Sequence, residues 1–205
     1  MIPLPSRGAT ILCGGHSARM GRDKVTLPFG PGEVMLQRVV RLVHQVVPAE
    51  RIVCAATPGQ QLPDLLPGVR TVFDSHPGCG PLAGLAAGLA ALHGETDAVF
   101  VTSCDVPLLV PAFVERMFAL LGDNQIAVPH DGQRFHPLAA VYRTETLPVV
   151  ESQLASDDRS LVSLLNSCRT RRVPVDELRD VDPQLASLAN VNTPADYRRA
   201  LDRGS

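Results

Sequence analysis

A mostly parallel β-sheet with helices on both faces, a three-layer α/β fold, is what this 205-residue sequence predicts. Two observations carry the prediction. Short apolar segments rich in β-formers alternate with longer segments of helical periodicity along most of the chain. Several of the apolar segments also end abruptly in glycine or aspartate, and in such folds the loops after parallel strands gather on one edge of the sheet.

Taken in order, residues 9–13 (ATILC) read as a buried strand. Residues 33–47 place Leu36, Val39, Val40, Val43 and Val47 on one helical face, an amphipathic helix. Strand-like segments follow at 51–56 (RIVCAA) and 69–73. At 81–93, Gly80 precedes a proline at the first helical position, a sound helix start. Residues 97–103 (DAVFVTS) form the next strand and 111–121 the next helix. Two further strands, 125–129 and 138–143, flank a polar loop, HDGQRFHP. Helices near 144–155 and 160–168, a short strand around 172–175 and a last helix from Pro194 complete the pattern. No repeat, low-complexity tract or interdomain linker interrupts it, and the length suits one domain, 1–205.

Composition narrows the partners. With 45% hydrophobic and 20% charged residues the chain is ordinary globular protein, and a net charge of −2 excludes the broad basic field of non-specific nucleic-acid binding. An anionic ligand must therefore be held by local cations. No apolar run reaches membrane-span or signal-peptide length, so no membrane partner and a cytoplasmic location are expected. Five cysteines without CxxC spacing read as reduced thiols, several on buried strands, and not as zinc ligands or a disulfide framework.

Five stretches can carry chemistry. The first strand runs into GGHSARMGRDK, which is neither a Walker A loop nor G-x-G-x-x-G. Gly14 and Gly15 allow close backbone approach to an anion, Arg19 offers a planar fork for phosphate oxygens, and Lys24 a compact point charge. A solvated basic turn is the competing reading. In VFVTSCDVP an apolar strand releases Asp105, either as a ligand for a hard cation such as Mg²⁺ beside phosphates or as a helix cap. The helix that it would cap begins nearer Pro111, which favours the metal. Asp74 and the glycine-flanked turn at 78–84 can bind a base or ribose, while Gly80, Gly84 and Gly88 can equally serve close helix packing, the preferred reading for Gly88. His16, His44, His76 and His93 read as surface residues. Arg134 and His136 project from HDGQRFHP as a second anion-binding wall or sit in a surface hairpin. In NVNTP, Thr193 reads as a helix cap, and Asn190 and Asn192 as turn residues or as amides for a heteroaromatic ligand.

Together these stretches resemble the molybdenum cofactor guanylyltransferases, within the wider class of Rossmann-like nucleotidyltransferases. GGHSARMGRDK is similar to that family's G-G-x-S-x-R-M-G-x-D-K signature, and GPLAG, CDVP, DGxRxHP and NxNTP follow in the family's order, from Thr10 to about Leu201. The resemblance implies a Mg²⁺-dependent enzyme that transfers GMP from GTP to molybdopterin, the organic part of the molybdenum cofactor, with cofactor-insertion proteins as onward partners. It implies a GTP-binding half at about 8–110 and an acceptor-binding half at about 111–203. Leu12, Gly14, Gly15, Arg19 and Lys24 would bind GTP, with Asp74 on the nucleoside side and Asp105 on the metal. Arg19, Lys24 and Asp105 would carry catalysis by positioning and charge neutralisation. Arg134, His136, Asn190 and Asn192 would lie toward the pterin. The chain departs from the pattern where some relatives carry Asn after the second strand: it reads Cys54-Ala55-Ala56 there, without that implied base or ribose contact. The alternatives are a CTP-using sister enzyme, a nucleotidyltransferase acting on a sugar or isoprenoid phosphate, and a non-catalytic nucleotide- or pterin-binding module on the same fold.

Overall fold

A computed structural model describes residues 6–14, 23–76, 78–156 and 158–204. Seven strands form one sheet in the order β3-β2-β1-β4-β6-β5-β7, where β1 is Arg7–Leu12, β2 Ile52–Ala56, β3 Arg70–Phe73, β4 Ala98–Ser103, β5 Ile126–His130, β6 Ala139–Arg143 and β7 Thr170–Pro174. All neighbours pair in parallel except at β6, which runs against both β4 and β5. Six strands therefore point their carboxyl ends at one edge, and β6 starts from it.

The helices lie on both faces, as the alternation predicts. On one side α1 (Met35–His44) and α3 (Pro111–Leu121) bury Leu36, Val39, Val40, Val43, Phe113, Val114 and Met117 against Ile11, Ile52 and Phe100. On the other, α2 (Pro81–Leu92), α4 (Leu147–Ala155) and α5 (Leu161–Ser167) bury Leu82, Leu85, Leu89, Val150 and Leu164 against Val53, Val99 and Tyr142. The split follows from strand alternation: Ala98 and Phe100 face one layer, Val99 and Val101 the other. The last helix, α6 (Pro194–Gly204), packs Ala200, Tyr197 and Leu201 on Leu27, Phe29 and Met35, and the Tyr197 hydroxyl donates to the Pro28 carbonyl. No helix among the described residues is long and apolar enough to cross a membrane. All five cysteines are free thiols, with Cys13, Cys54 and Cys104 buried. His44, His76 and His93 are at the surface, and His16 lies outside the described residues.

α2 begins where the sequence places it. Gly80 takes φ +66, a conformation open to glycine, and Pro81 follows at the first turn. Gly88 lets this helix sit directly on β1, for a Cβ there would overlap Cγ2 and Oγ1 of the buried Thr10. Gly84 is less demanding, since its Cβ would meet only the flexible end of Leu12.

Two terms of opposite sign meet at Gly88. Alanine gains about 1 kcal/mol of helix propensity over glycine, but overlap with a β-branched residue on a central strand costs about 1–3 kcal/mol. Gly88→Ala is therefore expected to lower stability in urea unfolding, and Thr10→Ala in the same chain to recover part of the loss. A Gly88→Ala protein at least as stable as wild type would show that α2 does not depend on this approach.

Candidate active site

The site is built at the carboxyl edge, where β1 and β4 lie side by side. After β1 the chain returns at Asp23, whose Oδ1 accepts from the Val25 backbone N–H at 3.2 Å and caps the 3-10 turn Lys24–Thr26. Val25 is buried and pins this turn to the core, so the Lys24 stem leaves from a fixed base. Its Nζ donates to Asp105 Oδ2 and to Asn192 Oδ1, both at 2.8 Å.

Asp105 follows β4. The Cys104 N–H donates to the Leu12 carbonyl at 3.0 Å, carrying the strand pairing one residue further. Asp105 Oδ1 accepts from Ser103 Oγ at 2.5 Å and Asn190 Nδ2 at 2.7 Å, while its carbonyl accepts from the Val191 N–H at 2.8 Å. Its side chain is only 12% exposed and that of Lys24 16%. A carboxylate this enclosed needs a cation and hydrogen-bond donors, and it has both. It caps no helix: the residue before α3 is Val110, which makes no side-chain cap bond.

Of the other residues expected on the nucleotide side, Leu12, Gly14 and Asp74 lie along the same edge. Leu12 is buried at the end of β1, and Gly14 is exposed beside Thr57. Gly15 and Arg19 lie outside the described residues. Asp74 follows the edge strand β3; its Oδ1 accepts from the His76 N–H at 2.6 Å. Cys54, Ala55 and Ala56 lie within β2 itself, buried, so the first exposed side chain after that strand is Thr57.

A cleft of about 290 Å³ opens beside Val106, the residue after Asp105, and Asn190, its hydrogen-bond partner. Asn190, Arg134 and His136 line it together with Phe135, Leu138 and Leu161. One carboxylate shapes the 130–138 loop: Asp131 Oδ1 accepts from the N–H groups of Gln133 (3.0 Å) and Arg134 (2.9 Å), and Oδ2 from Arg134 Nε (3.2 Å) and His136 Nε2 (3.1 Å). Those donors, the two backbone N–H groups first, hold the Asp131 carboxyl far below the usual carboxylate range. The loop is hairpin-like, with an antiparallel bridge between His130 and Phe135. Arg134 is 74% exposed at its rim, His136 only 13%. Burial holds the His136 imidazole below its ordinary pKa, against the opposing pull of Asp131.

The two asparagines thus part company. Asn190 touches both Asp105 and the cleft, whereas Asn192 holds Lys24. Thr193 caps α6 as its sequence predicts: its Oγ1 accepts from the Asp196 N–H, and Asp196 Oδ2 accepts back from the N–H of Thr193. Sequence reading passed over Ser103, Asp23 and Gln60. A cap signal, Asp before a short turn, was there to find Asp23. Nothing marks Gln60, a polar loop residue whose Nε2 donates to groups 37 and 47 positions away.

Comparison with known proteins places this arrangement. The MobA-like NTP transferase domain family matches residues 9–173. A Mycobacterium avium protein named "Probable molybdenum cofactor guanylyltransferase" is 36% identical over 192 residues, covering 92% of this chain and 91% of that protein. The crystal structure of molybdopterin-guanine dinucleotide biosynthesis protein A from Archaeoglobus fulgidus superposes with a TM-score of 0.78 at 21% identity, over 96% of this chain and 97% of that one. A Mycobacterium tuberculosis protein solved in complex with manganese superposes with a TM-score of 0.63 at 19% identity, over 98% and 100% of the two chains. These likenesses support the three-layer fold.

The buried imidazole yields a pH dependence. The folded His136 takes up a proton at lower pH than the unfolded chain, whose histidine titrates near 6.5. As pH falls from neutral through that value the unfolded state binds the proton first, so stability declines as the pH drops. His136→Gln, which keeps a donor for Asp131, is expected to flatten that decline in unfolding curves taken across this range. An unchanged slope would mean that burial does not disfavour the imidazolium.

Proposed function

Since this chain belongs to the MobA-like NTP transferase domain family, we propose that it transfers GMP from GTP to molybdopterin, forming molybdopterin guanine dinucleotide and releasing pyrophosphate. The observation that carries the reading is the position of Asp105. Its Oδ2 holds Lys24, from the Lys24–Thr26 turn, and its Oδ1 holds Asn190, which lines a cleft together with Arg134 and His136.

Leu12, Gly14, Gly15, Arg19 and Lys24 would take the triphosphate along the β1 edge, with Asp74 toward the nucleoside. A phosphate oxygen of the pterin attacks the α-phosphorus of GTP. The new P–O bond forms as the bond from the α-phosphorus to the bridging oxygen breaks, and that oxygen leaves with pyrophosphate. The attacking oxygen is already ionised, so the chain needs no side-chain nucleophile. Its task is to align two anions and neutralise charge, which in a dry site is the larger part of the barrier. Lys24 exchanges Asp105 for phosphate oxygens, and Asn192, already on Nζ, limits how far the ammonium can swing. Arg134 at the rim of the cleft meets the acceptor's phosphate, while His136 and Asn190 offer ring partners within it.

The donor set fits Mg²⁺. Asp105 is a hard oxygen ligand already holding a cation, and Mg²⁺ commonly uses one or two carboxylates with phosphates and water. Among the described residues no three His, Cys, Asp or Glu side chains converge, so phosphate oxygens would complete its shell. Bound there, the ion would supply charge neutralisation at the triphosphate.

Pyrophosphate release with molybdopterin and each of the four nucleoside triphosphates tests the reading, with GTP expected to be fastest. Asp105→Asn keeps the shape but loses the charge, and turnover with GTP should fall on the order of 10²–10³. Faster turnover with CTP would reassign the nucleotide, and a near-normal Asp105→Asn rate would make that residue structural.

A further inference from the structure

The turn after β2 delivers one side chain to both sides of the nucleotide-side segment. Thr57-Pro58-Gly59-Gln60 closes with the Gln60 N–H on the Thr57 carbonyl at 3.0 Å, and Gly59 sits at φ +84. Proline second and glycine third is the sequence of a type II turn, which fixes the chain without strain. The Gln60 side chain is anchored in turn: Oε1 accepts from the Thr57 N–H at 3.3 Å and Oγ1 at 3.4 Å. Its Nε2 then donates twice, to the Cys13 carbonyl at 3.0 Å and to Asp23 Oδ2 at 2.9 Å. Every polar valence of this amide is committed.

Cys13 is where the chain leaves β1, and Asp23 is the cap of the Lys24 turn. Asp23 divides its oxygens between that cap, through Oδ1, and Gln60, through Oδ2. We propose that Gln60 is a positioning residue for triphosphate binding: through Asp23 it sets the turn from which Lys24 reaches, and through the Cys13 carbonyl it ties that turn to the end of β1. The inference rests on the guanylyltransferase reading. It gives β2 a part in the site that the buried Cys54-Ala55-Ala56 segment cannot supply, and it requires an amide. A carboxylate at position 60 would face Asp23 and the Cys13 carbonyl with no proton to share.

The test is GTP affinity by calorimetry without acceptor, together with steady-state kinetics and melting curves, for Gln60→Met and Gln60→Glu. Met keeps the length and loses both donors, and one lost bond of this kind is worth roughly three- to tenfold. The dissociation constant and KM for GTP should rise by that factor in the Met variant and further in the Glu variant. KM for molybdopterin should stay within about twofold, a division that a general loss of stability does not produce. Should either variant fail to fold, Thr57→Val removes only the hydroxyl that orients the amide and should give a smaller rise of the same kind. Unchanged GTP affinity in a folded Gln60→Met protein, or equal increases in both KM values, would overturn the proposal. A wild-type protein that binds another triphosphate instead, weakened by the same variants, would sink the guanylyl reading and leave Gln60 in its role.

Discussion

The Asp105 carboxylate is the constraint on which the rest of this site depends. Lys24 reaches it from 81 residues upstream and Asn190 from 85 downstream, and Ser103 holds it from its own strand. An ionised carboxylate in so enclosed a place is costly unless its oxygens are satisfied. Here both are, each by a different part of the chain. Meeting that requirement draws the Lys24–Thr26 turn and the segment before α6 to the same point. The charge proposed to serve phosphate chemistry is also the point on which these segments converge.

Sheet topology explains why so distant segments can meet there. β5 and β7 run parallel to β4 because β6, between β4 and β5, runs the other way. The 130–138 loop and the chain after β7 therefore emerge on the same edge as Lys24 and Asp105. With β6 parallel, that loop would open on the opposite edge and the cleft would have no wall. α6 then covers the segment after the Lys24 turn through Leu27, Phe29 and Met35. Residues 27–35 and α6 are thus joined by packing, as Lys24 and Asn192 are by a hydrogen bond.

Much of this was legible in the sequence. Each strand and α-helix appears within a few residues of its expected place, and α3 matches to the residue, because buried parallel strands and amphipathic helices leave strong patterns. The 3-10 turn Lys24–Thr26 is too short to leave one. Asp105, at the end of an apolar strand and too far from a helix to cap it, was equally readable. What escaped is side-chain wiring across long separations. Asn190 and Asn192 stand two residues apart, and sequence gives no reason to separate them. Yet consecutive turns send one to Asp105 and the other to Lys24. Gln60 is a stronger case, since its importance lies in what the Pro58-Gly59 turn lets it reach. The polarity of HDGQRFHP was plain, but that Asp131 would organise all of it depends on four donors converging in three dimensions.

In the proposed division of labour, Asp105 separates a nucleotide side, headed by Lys24, from an acceptor side lined by Arg134, His136 and Asn190. A crystal structure with a non-hydrolysable GTP analogue and Mg²⁺, grown without acceptor, tests it most directly. Lys24 Nζ is expected on phosphate oxygens, the base toward Asp74, and the 290 Å³ cleft free of nucleotide. A nucleotide seated in that cleft between Arg134 and Asn190, with the Lys24–Asp105 pair intact, would contradict it.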